Sequence, residues 1–345
     1  MPNGVRLQDV ADLAGVSIGT ASQALNNRPN VATDTRARVI DAARTLGYPI
    51  KPRSAVARSE IEVIGMLMKH DFGYPPNINA FYSHVQAGIE NECRRQNISL
   101  MYANIEVDSA NHPIAWPPML SEERIDGLLL VGTFIEDTVG ILRSRLDLPI
   151  VLVDAYAPNL PYDSVLIDNH MGTVSVVEHL HRLGHTKIGL LGTNPGSPPS
   201  LRERRAAFRE ALLERALPET YIEDSELTQD SGYDGLKRLL ERAPEVTAVF
   251  AAADLVALGA LSAARDLKIR VPEDVSIIGF DDIDLASVVT PTLTTVHVHK
   301  SWIGSLGVRQ LIYRTLDPTQ PKVTISVSTR LVERDSVCAS PECSA

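Results

Sequence analysis

Cysteine is scarce in this chain. Cys93, Cys338 and Cys343 are the only three in 345 residues, an odd count without the spacing of a disulfide framework. That scarcity points to a reducing compartment, and the cytoplasm is the expected location. No run of eighteen apolar residues occurs, so no membrane-spanning helix is expected. The opening Met1-Pro2-Asn3-Gly4-Val5-Arg6-Leu7-Gln8-Asp9 lacks an apolar stretch behind a basic start, so no secretory signal is expected either.

Chemistry-bearing patterns are equally sparse. Gly189, Gly192 and Gly196 follow an apolar run but miss the dinucleotide-binding spacing, which argues against a dehydrogenase. His181 and His185 stand four apart without a third ligand or a glutamate at the right offset, and His297 and His299 share a strand face with no third partner. No metal and no cofactor is expected. Asp281 and Asp282 are adjacent, and neighbouring carboxylates do not readily flank a glycosidic bond at the separation hydrolysis requires. No catalytic residue is therefore assigned, and the chain is read as a protein other than an enzyme.

What is present is ordinary in bulk, with 44% hydrophobic and 22% charged residues, as in soluble globular proteins. The length suits a small module plus one or two larger lobes better than one core. The net charge of −10 is unevenly spread: residues 1–60 carry eight basic and five acidic side chains, so a head of +3 precedes an acidic body. That distribution fits a phosphate-binding module joined to an unrelated domain.

Within the head, Leu7 to Ala14 reads as a short helix with Leu7, Val10, Leu13 and Ala14 on one face. Gly15-Val16 breaks it, and Ser17 is a natural N-cap for a second helix reaching about Asn26, with Ala21, Ala24 and Leu25 on its apolar side. Asn27 to Asn30 forms a loop, and a third helix capped at Thr33 runs through Val39, Ala42, Ala43 and Leu46 to Gly47. Two short helices around a turn, closed by a third, make a helix-turn-helix over residues 1–48. Residues 49–60 hold two prolines and small residues and read as a linker.

From Ile61 to the end at residue 345, buried-strand runs alternate with helical patterns. Expected strands are Glu62–Met68, Ser99–Ala103, Gly127–Val131, Ile150–Asp154, Ile188–Gly192, Ala248–Ala252 and Val275–Phe280. Helical patterns include Phe81–Gln96, Thr173–Leu183, Leu201–Arg215 and Asp254–Leu267. Strands apolar on both faces and separated by helices imply α/β lobes, parallel sheets covered by helices on each side.

The run from Leu7 to Asn26, with Gly15-Val16-Ser17, Thr20-Ala21-Ser22 and Ala24-Leu25-Asn26, closely resembles the head of the lactose/galactose repressor (LacI/GalR) family. Thr35-Arg36 leading to Leu46-Gly47-Tyr48 does too. Further anchors follow in order: Asn79 to Tyr82, Asp126-Gly127, Pro149 to Asp154, Asp168-Asn169, Gly184-His185, Val271 to Asp274, Gly279 to Asp282, and Thr290-Pro291 with Leu293 to Thr295. The resemblance covers nearly the whole chain. It implies a small all-α DNA-binding head on a periplasmic-binding-protein-like core of two lobes, the first at about 61–160 with a return near 299–325 and the second at about 165–297.

By the same resemblance Ile18, Gly19 and Gln23 read base edges of a near-palindromic operator in double-stranded DNA. Arg6, Ser17, Thr20, Ser22 and Asn26 would contact phosphates. The family usually has arginine where Gln23 stands, and glutamine favours adenine over guanine. Residues 54–58 would form a hinge helix, but Val56 or Ala57 occupies the place of the leucine that wedges into the minor groove, so strong wedging is not expected. Ligands bind beyond the carboxyl ends of strands in such sheets. There the resemblance places Arg204 and Asp281 as effector ligands, with Asp154 and the aromatic residues Phe72, Phe81, Tyr82 and Tyr156 around them. Paired arginine and aspartate suit a polyhydroxylated or carboxylate-bearing ligand, with sugars the leading class. Ala253 and Val298 stand at positions often polar in relatives, so a less polar pocket is expected. The polar stretch from Asp335 lacks a leucine heptad, and a homodimer is expected rather than a tetramer. A transport-type binding protein and a sugar-processing enzyme are the alternative readings.

Overall fold

The computed structural model describes residues 6–25, 31, 33–46, 48, 61–71, 80–108, 112–120, 124–132 and 136–341. They fall in two compact units, Met1–Arg58 and Ser59–Ala345.

The first unit is built from α1 (Leu7–Ala14), α2 (Ile18–Leu25) and α3 (Thr33–Thr45). The Asp9 carboxylate accepts the Arg6 N–H at 2.7 Å and so satisfies a free donor at the start of α1. Gly15 ends that helix at φ +65°, a conformation that side-chain-bearing residues reach only with strain. Ser17 then caps α2, its Oγ accepting the Thr20 N–H at 3.1 Å. Val10, Ala11, Ala14, Ala21, Ala24, Val39, Ala42 and Ala43 form a core of small side chains that lets three short helices close on one another.

The second unit holds two six-stranded sheets. The first sheet runs β11-β5-β4-β3-β1-β2, from β1 (Val63–Asp71), β2 (Ser99–Val107), β3 (Gly127–Val131), β4 (Ile150–Val153), β5 (Asp163–Ile167) and β11 (Thr324–Val327), all parallel. Its helices are α4 (Ala80–Gln96), α5 (Glu136–Arg145) and α10 (Lys300–Leu316). The second sheet runs β12-β10-β9-β8-β6-β7, from β6 (Ile188–Thr193), β7 (Ile222–Asp224), β8 (Ala248–Ala251), β9 (Ser276–Asp281), β10 (Thr294–His297) and β12 (Arg330–Val332); β12 alone is antiparallel. Its helices are α6 (Asn169–Arg182), α7 (Pro199–Glu214), α8 (Gln229–Arg242) and α9 (Asp254–Asp266).

The lobe boundaries differ from the sequence expectation in two places. β5 pairs with β4 and β11, so the first lobe extends to Ile167 rather than ending near 160, and the chain crosses at Asp168. The segment after β11 crosses again, so that β12 and the residues behind it return to the second lobe. Ser336 explains why: its hydroxyl donates to the Ile277 carbonyl and accepts the Thr294 N–H, stitching the polar tail to β9 and β10. No described helix is long and apolar enough to cross a membrane.

Glycines set how closely helices approach. On α4, a Cβ at Gly88 would overlap the Ser301 carbonyl of α10, and one at Gly304 would overlap the Val85 carbonyl of α4. The two helices therefore pack backbone to backbone, which fixes α4 and α10 as one body.

Candidate functional site

Two surfaces carry the residues singled out above. On α2, Ala21 and Ala24 are buried, while Ile18, Gly19 and Gln23 face solvent with Ser22 beside them half-buried. Ile18 is 46% exposed, so its side chain is only partly covered by the rest of the unit. Helical spacing aligns Gly19 with Gln23 and Ile18 with Ser22, so base-reading and phosphate-contacting candidates lie on one outward face. Ser17 and Thr20 hydroxyls sit 2.9 Å apart at the N-terminal end of that face. Arg6 is exposed ahead of α1. Asn26, Val56, Ala57 and Phe72 lie outside the described residues.

The second surface gathers strand ends from both lobes. Asp154 follows β4 and Asp281 ends β9, and both adopt positive φ, +53° and +110°. Such backbone is strained for aspartate and is held only where the surroundings dictate it. Arg204, on α7, is 4% exposed and meets Asp281 at 3.3 Å. Its Nε donates to Asn169 Oδ1 at 2.8 Å and its Nη1 to the Ala252 carbonyl at 2.5 Å, while the guanidinium lies 3.6 Å over the Phe280 ring. Burial pushes the Asp281 carboxyl upward in pKa, and Arg204 and Lys300 oppose that shift.

In the first lobe Tyr82, on α4, donates its hydroxyl to Asp154 Oδ2 at 2.8 Å. Burial raises the Asp154 carboxyl to about 6, against the lowering effects of that bond and of Arg204. Phe81 stands edge-on to Tyr82 with ring centres 5.0 Å apart. Tyr156 does more than offer a ring. Its hydroxyl donates to Glu203 at 2.8 Å and accepts from Asn169 at 3.0 Å, tying the first lobe to α6 and α7 of the second.

The structure thus brings Arg204, Asp281, Asp154, Tyr82, Tyr156 and Phe81 into one neighbourhood, and adds residues that sequence reasoning missed. Asn169 appeared there only as a motif anchor, although its amide also donates to Glu203 at 3.2 Å. Lys300, at the start of α10, donates its ammonium to the carbonyls of Asp281 at 2.5 Å and Asp282 at 2.9 Å. Asp254, fully buried at the start of α9, accepts from Thr295 Oγ1 and from the Ile283 N–H, and burial raises its carboxyl to about 8. Asp282 turns aside to Arg334 at 2.6 Å and His297 at 2.7 Å. Ala253 and Val298 are packed in the core. His185 has both ring nitrogens engaged, with Thr247 and the Cys338 carbonyl, so it serves packing.

A helix-turn-helix with an exposed second helix, in one chain with two parallel α/β lobes that meet at a buried cluster of charged side chains, defines a class: DNA-binding regulators with a ligand-binding core. The comparisons agree. Residues 6–49 match the model for bacterial regulatory proteins of the lacI family, and residues 177–337 match the periplasmic binding protein-like domain. Among the relatives is the HTH-type transcriptional repressor PurR of Aliivibrio salmonicida, 34% identical over 96% of this chain and 98% of its own length. The PurR repressor of Photorhabdus laumondii is 32% identical over 97% of each chain. Solved structures that match include a CelR–cellobiose complex (28% identity, TM-score 0.71, 96% and 99% covered). The lac repressor dimer bound to operator and the anti-inducer ONPF also matches (25%, TM-score 0.70, 98% and 100% covered). A regulator from Enterococcus faecium with bound ribose is similar as well (25%, TM-score 0.69, 80% and 99% covered). This chain belongs to the lacI family of bacterial regulatory proteins and is a DNA-binding transcriptional regulator.

Proposed function

We propose that the chain is a homodimeric transcriptional repressor whose affinity for a near-palindromic operator is switched by a small sugar-like molecule bound between the two lobes. The observation that carries the effector half of this reading is the buried Arg204–Asp281 pair at the cleft, joined by Asp154. Polar groups buried there at strained positions fit a site kept for a ligand better than one kept for stability. The relatives crystallised with cellobiose and ribose support the sugar class. For the DNA half, Ile18, Gly19 and Gln23 read bases, Arg6, Ser17, Thr20, Ser22 and Asn26 hold phosphates, and Val56 or Ala57 stands at the hinge. Two copies with two-fold symmetry explain a palindromic site. Such a protein works in the cytoplasm and performs no chemical step.

The test is a thermal-shift screen of sugars, polyols, sugar phosphates and nucleobases on the full chain beside Arg204→Ala and Asp281→Ala. A ligand at a hundred times its dissociation constant adds about 2.7 kcal/mol. A hit lost in both variants confirms the cleft. A hit retained in both places the ligand elsewhere and contradicts this assignment.

A further inference from the structure

The charge balance of the cleft narrows the effector further. Asp154 is 6% exposed, and its Oδ1 accepts no hydrogen bond among the described residues, although Oδ2 is engaged by Tyr82. A buried acceptor without a donor is costly, and a ligand that donates to it removes that cost. The charged groups that act most strongly on Asp154 include one cation, Arg204, and two anions, Asp281 and Glu203. Each nitrogen of Arg204 already donates to the protein, to Asn169, to Ala252 and to Asp281. The next cation, Lys300, spends its ammonium on the Asp281 and Asp282 carbonyls. The segments that follow β1 and β3 in sequence, 72–79 and 133–135, contain no Lys, Arg, Asp or Glu.

From this geometry we infer that the cleft takes a neutral or amine-bearing, donor-rich sugar and rejects phosphorylated or carboxylated ones. An anion placed against Asp154 and Asp281 meets like charge in a desolvated cleft and finds the nearest guanidinium already engaged. A hydroxyl or ammonium meets a carboxylate oxygen that lacks a donor instead. The inference rests on the sugar reading above and names which members of that class fit.

Matched probes on the full chain at pH 7.5 test it: glucosamine, glucose and glucuronate; ribose and ribose 5-phosphate; cellobiose and cellobionate, by calorimetry or thermal shift. In every set that binds, the neutral or amine-bearing member binds at least tenfold more tightly than its acid or phosphate. An acid or phosphate that binds as tightly as its neutral counterpart overturns the inference and leaves the effector site standing. A panel with no binder contradicts the sugar reading itself and takes this inference with it. Asp154→Asn keeps the shape and removes the charge, so it narrows the neutral-to-acid ratio at least threefold. Asp281→Asn moves the ratio the same way, and a ratio unchanged in both variants overturns the charge argument.

Discussion

Burying Asp154 works against stability, and the sign of its pH dependence follows from its titration. The folded carboxyl titrates near 6, whereas an unfolded aspartate titrates at roughly 3.9. Between those values the folded chain binds the extra proton, so this residue's contribution to stability falls as pH rises from about 4 to about 6. At neutral pH the loss is about 3 kcal/mol, and Asp154→Asn should recover about 1–3 kcal/mol of it. The melting temperature of that variant is expected to exceed the wild type at pH 7.5 and to match it near pH 4. Effector binding moves oppositely, because a donor to Oδ1 prefers the ionised form: affinity falls as pH drops from 7.5 to 5. A flat calorimetric profile contradicts the role of Asp154. Arg204→Ala strands Asp281 without its partner and should cost about 3–5 kcal/mol, read by denaturant unfolding. On the head, Gln23→Arg is expected to shift one operator position from adenine toward guanine, a change of about 1–3 kcal/mol in selection from random duplexes.

At the scale of elements, α4 and α10 link the lobes' site to their packing. Tyr82 sits on α4 and Lys300 begins α10, and the Gly88 and Gly304 contacts hold the two helices together. Gly88→Ala forces them apart and is expected to cost about 1–3 kcal/mol or more, measured as a lowered denaturant midpoint. Lys300→Met leaves the Asp281 and Asp282 carbonyls without this donor and should weaken effector binding more than it lowers stability. Equal losses of both would contradict a positioning role. Seven strands were legible in the sequence, Gly127–Val131 to the residue, because an apolar run such as that one, buried on both faces, leaves a signal that needs no context. Five strands went unread: β7 and β12 have three residues each, β11 is mostly exposed, and the buried β5 and β10 carry Asp163-Ser164 and Thr294-Thr295 in place of a continuous apolar run. The site shows the same division. Asp281 and Asp154 stood in motifs and Arg204 was placed by the family resemblance, whereas Lys300 and Glu203 act through contacts between residues 19 and 47 positions apart, which no local pattern records.

For the whole molecule, three strand crossings and the Tyr156–Glu203–Asn169 network connect the lobes, so a ligand between them acts on both at once. A ligand shifts the equilibrium of such a core only by its differential affinity for two arrangements, and coupling of this kind is commonly 5–150-fold. The most direct measurement is operator binding by the full chain to a duplex selected from a random pool, by fluorescence anisotropy, with and without the sugar that binds the cleft. The expected result is an enriched near-palindromic site whose affinity changes about fivefold or more with the sugar, with the change abolished in Arg204→Ala. No enriched sequence, or operator affinity indifferent to a sugar that occupies the cleft, would contradict the account.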